Sequence, residues 1–158
     1  TGATPDGRRS GTPLSEGISP VQGADRHGPT AVLRSAGKMG HVKTGGTLLN
    51  LKFTPRFLET EEGIDRLAAL VRGYFRLGGH HVQFNVVRAE TLRAAQADPA
   101  SHRDLIVRVA GYSDYFCDLS RELQEEIISR TEHDEAGAGP VEARPSGPSR
   151  ADSIGVAD

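Results

Sequence analysis

With 158 residues the chain is long enough for one domain of ordinary size. Only 36% of it is hydrophobic and 5% aromatic, low for a globular protein because both ends are rich in Gly, Pro and Ser, so the core must be built from the central part, roughly residues 42 to 131. A formal net charge of −2 excludes bulk electrostatic attraction to nucleic acid or a membrane surface, no apolar run approaches the ~18 residues of a membrane span, and a single cysteine, Cys117, excludes an internal disulfide or a CxxC metal site. A reducing cytoplasmic location is the default expectation.

Residues 1 to 30 have many Gly and Pro and few apolar residues, the composition of an irregular segment that other elements must hold in place. Residues 30 to 38 are read as a short helix with Ala31, Leu33 and Ala36 inward. Across 45 to 53 the pattern becomes that of a strand, Leu49, Leu51 and Phe53 alternating with Asn50 and Lys52, and Pro55 ends its pairing.

From Thr60, a candidate N-cap followed by Glu61 and Glu62 at the positive end of the helix dipole, the period is helical. Ile64, Leu67, Leu70-Val71 and Tyr74-Phe75 make one apolar face, and Leu77-Gly78-Gly79 terminates it. His80 to Val87 alternates again, Val82, Phe84 and Val86 on one side and His81, Gln83 and Asn85 on the other. Adjacent His80 and His81 point to opposite faces of a strand and have no further ligand at a suitable spacing, so no metal site is expected. The polar face of this strand either meets water or lines a polar cavity.

A short helix covers 90 to 97 and ends before Asp98-Pro99. Leu105 to Ala110 is strand-like and runs into Gly111, and Ser120 caps a final helix with Leu123, Ile127 and Ile128 inward. Beyond His133 almost no large apolar residue remains, so 134–158 is expected to be a disordered tail. Strands alternating with helices give an α/β class.

The stretch Arg108-Val109-Ala110-Gly111-Tyr112-Ser113 ends an apolar strand-like run in a glycine, and the family resemblance it carries implies chemistry on the backbone itself. An α-carbon radical flanked by a donating amide nitrogen and a withdrawing carbonyl is delocalised only when the carbon can become planar. A side chain would crowd that geometry and occupy the place from which hydrogen is removed, so glycine is the residue that allows it. The apolar strand leading into the loop suits a buried position for Gly111. Read bare, the same glycine is a turn residue.

Arg108-Val109-Ala110-Gly111-Tyr112-Ser113, with Phe116 and the helix 123–131 after it, resembles the C-terminal glycine-radical domain of the glycyl radical enzymes, relatives of pyruvate formate-lyase. The resemblance extends in colinear blocks through 79–87, 90–92 and 103–107 and back to Thr4-Pro5-Asp6-Gly7-Arg8-Arg9, covering about residues 4 to 133. It implies the C-terminal part of a ten-stranded α/β barrel: an irregular segment over 1–30, a glycine-radical domain over 31–133 and the tail. It implies that Gly111 is the modified residue that carries the radical. Arg108, Val109, Ala110, Tyr112 and Ser113 are its neighbours in the loop.

The resemblance further implies that no cofactor is bound and that a separate activating enzyme, using an iron–sulfur cluster and S-adenosylmethionine, installs the radical. A barrel cysteine outside this sequence would receive it and act on a small-molecule substrate. Val109-Ala110-Gly111-Tyr112-Ser113 and His81-Val82-Gln83-Phe84-Asn85 are closer to the dehydratase, lyase and decarboxylase branch than to pyruvate formate-lyase. Cys117 does not match the barrel cysteine and reads as a small half-buried residue, and Asp114 departs from the family and reads as solvent-facing. The expected partners are the activating enzyme, the rest of the barrel and a second subunit. The Thr1 start and the match back to Thr4 are expected of part of a larger enzyme. A standalone protein that replaces an oxygen-damaged glycine segment and a noncatalytic α/β interaction domain are the alternatives.

Overall fold

A computed structural model describes residues 2–45 and 47–134; the expected tail, from 135 onward, lies outside the described residues. Three short parallel strands form the central sheet. β1 (Asn50–Phe53) lies in the middle, with β2 (Gln83–Val86) on one side and β5 (Glu132–His133) on the other. The registers pair Asn50 with Gln83 and Lys52 with Glu132. A separate antiparallel hairpin, β3 (Ile106–Arg108) and β4 (Ser113–Tyr115), pairs Arg108 with Ser113 and Ile106 with Tyr115.

Alternation along β1 divides the interior in two. Leu49, Leu51 and Phe53 point to a core shared with α1 (Gly28–Ala36) and α2 (Glu61–Arg76), where Val32, Leu33, Ala36, Phe57 and Tyr74 are buried. Asn50 and Lys52 point the other way, toward the hairpin, α3 (Ala89–Ala97) and α4 (Arg121–Ser129). There Val107 and Val109 of the hairpin pack with Leu92, Ala95, Phe116, Ile127 and Ile128 in a second core. The hairpin is thus a lid over the sheet's polar side, fastened at its edge by its own apolar residues.

The local signals that start and stop these elements act as read. Thr60 Oγ1 accepts from the Gly63 N–H at 3.1 Å and caps α2; Ser120 Oγ accepts from the Leu123 N–H at 3.4 Å and caps α4. Pro55 opens a 3₁₀ turn, Pro55–Leu58, directly after β1, and Asp98-Pro99 ends α3. Residues 2–27 hold no helix or strand and are fastened from outside: the Ile18 N–H donates to Leu48 O at 2.9 Å, the Asn50 N–H to Ser19 Oγ at 2.9 Å, and Thr131 Oγ1 to Asp25 at 2.5 Å.

Several expectations are corrected. The first helix begins at Gly28 and buries Val32, with Ala31 only partly covered. On α2 only Tyr74 and Gly63 are buried, while Ile64 is 55% exposed and Phe75 49%, so part of its apolar face has no partner among the described residues. β4 and β5 were not expected: three-residue and two-residue strands are too short to show a period.

Lys52 is buried, and its ammonium donates to Ile128 O at 2.9 Å and faces Glu132 at 3.5 Å. Burial holds its pKa below the usual lysine value against the pull of Glu132. His133, 5% exposed, lies 3.6 Å from Asp25, a separation that favours the charged ring, but burial weighs more and lowers its pKa, with Lys52 adding to the same direction. At 3.6 Å the pair is too far apart for a hydrogen bond, so burial prevails.

Two predictions follow from this packing. A Cβ at Gly63 would lie 1.8 Å from Phe57 O, so Gly63→Ala should lower the unfolding temperature, although alanine favours a helix interior by about 1 kcal/mol. A histidine with a depressed folded pKa contributes stability that is complete above its unfolded value, 6.5, and is lost as pH falls through the folded one. Unfolding midpoints should therefore drop between pH 7 and 5, and His133→Gln should flatten that drop.

Candidate functional site at the Gly111 hairpin

The polar side of β2 does not meet water, the first of the two readings of this strand. Asn50, Gln83 and Asn85 are 7%, 6% and 5% exposed, and the hairpin covers them. Buried amides need partners, and these find theirs in the hairpin. Asn85 uses both ends of its side chain on one residue: its Nδ2 donates to Arg108 O at 2.8 Å, and its Oδ1 accepts from the Arg108 N–H at 2.7 Å. This reproduces with a side chain the pair of bonds that a neighbouring strand would make. Gln83 Nε2 donates to Asn50 Oδ1, and Asn50 Nδ2 donates to Glu16 and, at 3.4 Å, to Val109 O.

Arg130, just past α4, completes the hold. Its guanidinium donates to Arg108 O at 3.2 Å and to Val109 O at 3.1 Å, and it pairs with Glu126 at 2.8 Å and Glu16 at 3.5 Å. Burial raises the Glu16 pKa, with Arg130 opposing. The two carbonyls that lead into the loop are therefore gripped from β2, from β1 and from the end of α4. Arg130 was not singled out in the sequence, because an arginine after a helix is ordinarily a dipole partner on the surface.

Beyond that grip the backbone turns. The Val109 N–H donates to Tyr112 O at 2.9 Å, leaving Ala110 and Gly111 at the two central positions. Gly111 has φ +75°, in the left-handed region that certain tight turns need at their second central position and that a side chain resists. A Cβ built there would meet nothing within 4 Å. Where a buried position was expected, the turn is uncovered within this chain: Ala110, Gly111, Tyr112 and Ser113 are exposed, Val109 is buried and Arg108 half-buried. The apolar strand that leads to the loop buries Val107 and Val109, and the turn then carries Gly111 clear of the core.

The Arg108 side chain folds back along the loop. Its Nε donates to Gln83 Oε1 at 2.8 Å, its Nη1 to Ser113 Oγ at 3.3 Å and its Nη2 to the Gly111 carbonyl at 3.2 Å. Asp114 is exposed and accepts from the Tyr115 N–H at 2.8 Å, a local turn contact. Cys117 is half-buried, its thiol donating to His102 O at 3.3 Å. His80 lies over the buried His41 ring at 5.1 Å while His81 is exposed, and no group of three or more His, Cys, Asp or Glu among the described residues could hold a metal. No helix among them is long and apolar enough to cross a membrane.

The geometry is that of an α/β domain with a glycine at the tip of an anchored hairpin, and comparison with known proteins assigns the domain to a class. The model for "Glycine radical" matches residues 14–117, and the chain belongs to the glycyl radical enzyme family. Within it the relatives are of the dehydratase and lyase branch. The chain is 58% identical to trans-4-hydroxy-L-proline dehydratase of Clostridioides difficile over 83% of this chain and 17% of that protein, and 50% identical to isethionate sulfite-lyase of Oleidesulfovibrio alaskensis over 84% and 16%. The solved B12-independent glycerol dehydratase from Clostridium butyricum superposes with a TM-score of 0.80 at 51% identity, over 85% of this chain and 17% of that one. The chain thus spans about a sixth of the length of the relatives it matches.

Replacing Asn85 with Leu leaves the Arg108 N–H without its side-chain partner, at about 1–3 kcal/mol for a buried donor, while the C=O keeps its bond from Arg130. The Arg108 amide in Asn85→Leu should exchange with deuterium at least about tenfold faster than in the unaltered protein, measured by hydrogen-exchange mass spectrometry, while amides in α2 stay unchanged.

Proposed function

We propose that this chain is the radical-storing segment of a glycyl radical enzyme and that Gly111 is the residue that carries the radical. The observation that carries this reading is the position of Gly111. Within the region matched to the family, it is the glycine at an unhindered turn whose stem is pinned on both sides. At φ +75° the amide planes on either side of its α-carbon are not conjugated, so delocalising a radical requires the residue to flatten. The open space around the tip leaves room for that rotation, and the fixed stem confines it to the turn.

In this reading the segment contributes strands to a ten-stranded α/β barrel, and the exposed Val86, Ile106, Tyr112 and Tyr115 around the hairpin are surface for the rest of the barrel to cover. A separate activating enzyme, using an iron–sulfur cluster and S-adenosylmethionine, removes one hydrogen atom from Gly111. The radical then passes to a barrel cysteine outside this sequence and supports dehydration, lyase or decarboxylation chemistry on a small molecule, as the names of the relatives suggest. Cys117 is a poor candidate for that thiol, since it packs against the Leu92 and Phe116 core, engaged with a backbone carbonyl.

The test is anaerobic incubation of the full-length protein with its activating enzyme and S-adenosylmethionine, followed by electron paramagnetic resonance and then exposure to air. A glycine-type doublet and backbone cleavage at Gly111, read by mass, are expected. Both should vanish in Gly111→Ala, which also costs about 1–2 kcal/mol because alanine resists the left-handed region. An Ala110→Gly control should keep both.

A further inference from the structure

We propose that Arg108 stabilises the radical on Gly111 directly, by donating a charged hydrogen bond to the Gly111 carbonyl oxygen. This rests on Gly111 being the radical carrier. The guanidinium is held in place from two directions. Its Nε is fixed by buried Gln83 at 2.8 Å, and Gln83 is itself held by Asn50 of β1. Its backbone is fixed by Asn85 and Arg130. From that anchor the two terminal nitrogens reach across the turn, one to Ser113 Oγ at 3.3 Å and one to Gly111 O at 3.2 Å. The tether also gives buried Gln83 Oε1 the donor it needs, and it fixes the guanidinium within reach of the Gly111 carbonyl.

The chemistry needs such a group at that atom. Homolysis of one Gly111 Cα–H bond transfers a whole hydrogen atom to a carbon-centred radical supplied by the activating enzyme; that radical is quenched, and one unpaired electron remains on Cα. No charge is gained or lost at Gly111, and Arg108 keeps its protons. The electron then spreads toward nitrogen and oxygen through a dipolar form with positive character on the amide nitrogen and negative character on the carbonyl oxygen. A cation donating to that oxygen favours this form more than it favours the closed-shell residue. An interaction stronger in the radical than in its precursor is the kind that lowers the energy of reaching it.

The experiment uses the full-length enzyme, anaerobically activated, in four forms: unaltered, Arg108→Gln, Arg108→Lys and Gln83→Leu. The readouts are the α-proton splitting of the doublet, its anaerobic decay rate and the unfolding temperature. Arg108→Gln should widen the splitting and speed decay by about tenfold or more, the size expected for losing a charged hydrogen bond of about 1.5 kcal/mol. Arg108→Lys, which keeps the charge but loses the fork, should fall between, and Gln83→Leu, with Arg108 intact but untethered, should shift the same way. Unchanged splitting and decay in Arg108→Lys and Gln83→Leu would overturn the proposal, and these two decide it if Arg108→Gln fails to fold. No doublet in the unaltered enzyme, with an activating enzyme competent on its own partner, would overturn the reading of Gly111 and this inference with it. A doublet there with unaffected variants would remove only the role of Arg108.

Discussion

The structure depends on a buried amide ladder. Asn50, Gln83 and Asn85 stand on the side of the sheet that an ordinary α/β domain would fill with aliphatic residues, and each is nearly inaccessible to solvent. Amides in such a place are costly unless every donor and acceptor is used. That requirement makes the hairpin's position specific: Arg108 and Val109 are the residues whose backbone groups complete the ladder. An apolar face would bind the hairpin at least as tightly but would tolerate a shift along it. A ladder of directional bonds does not.

The second layer of the domain serves the same end. Val107 and Val109 anchor the hairpin in the core of α3 and α4, so the loop is held by packing on one side and by hydrogen bonds on the other. The end of α4 then brings Arg130 onto the two carbonyls, with Glu126 and Glu16 balancing its charge. The N-terminal segment has no regular structure of its own, yet through Glu16 and Asp25 it reaches both this grip and the stretch after α4 at Thr131 and His133.

Much of this was legible in the sequence, for reasons that differ by residue. The caps at Thr60 and Ser120 and the stops at Pro55 and Pro99 are local rules, satisfied within a turn or two, and the structure has them. The alternation of β1 and β2 was also visible, but which face would be buried was not: hydropathy marks Gln83 and Asn85 as outward, and only the hairpin above them, more than twenty residues on, reverses that. The same distance hides Arg130. The glycine loop was recognisable by its resemblance, while its exposure was not, because Val107 and Val109 describe the stem and say nothing of the turn beyond. Ile64 and Phe75 show the complementary miss: periodicity identifies an apolar face without revealing what lies against it.

The placement of β5 bears on what a break in the backbone at Gly111 would do. The residues after the break, β4, α4 and β5, are not a loose end. β4 pairs with β3, β5 pairs with β1, Ile127 and Ile128 sit in the second core, and Ile128 and Glu132 hold the ammonium of Lys52. A severed chain would therefore keep its outline: two pieces on a denaturing gel, one particle on a sizing column.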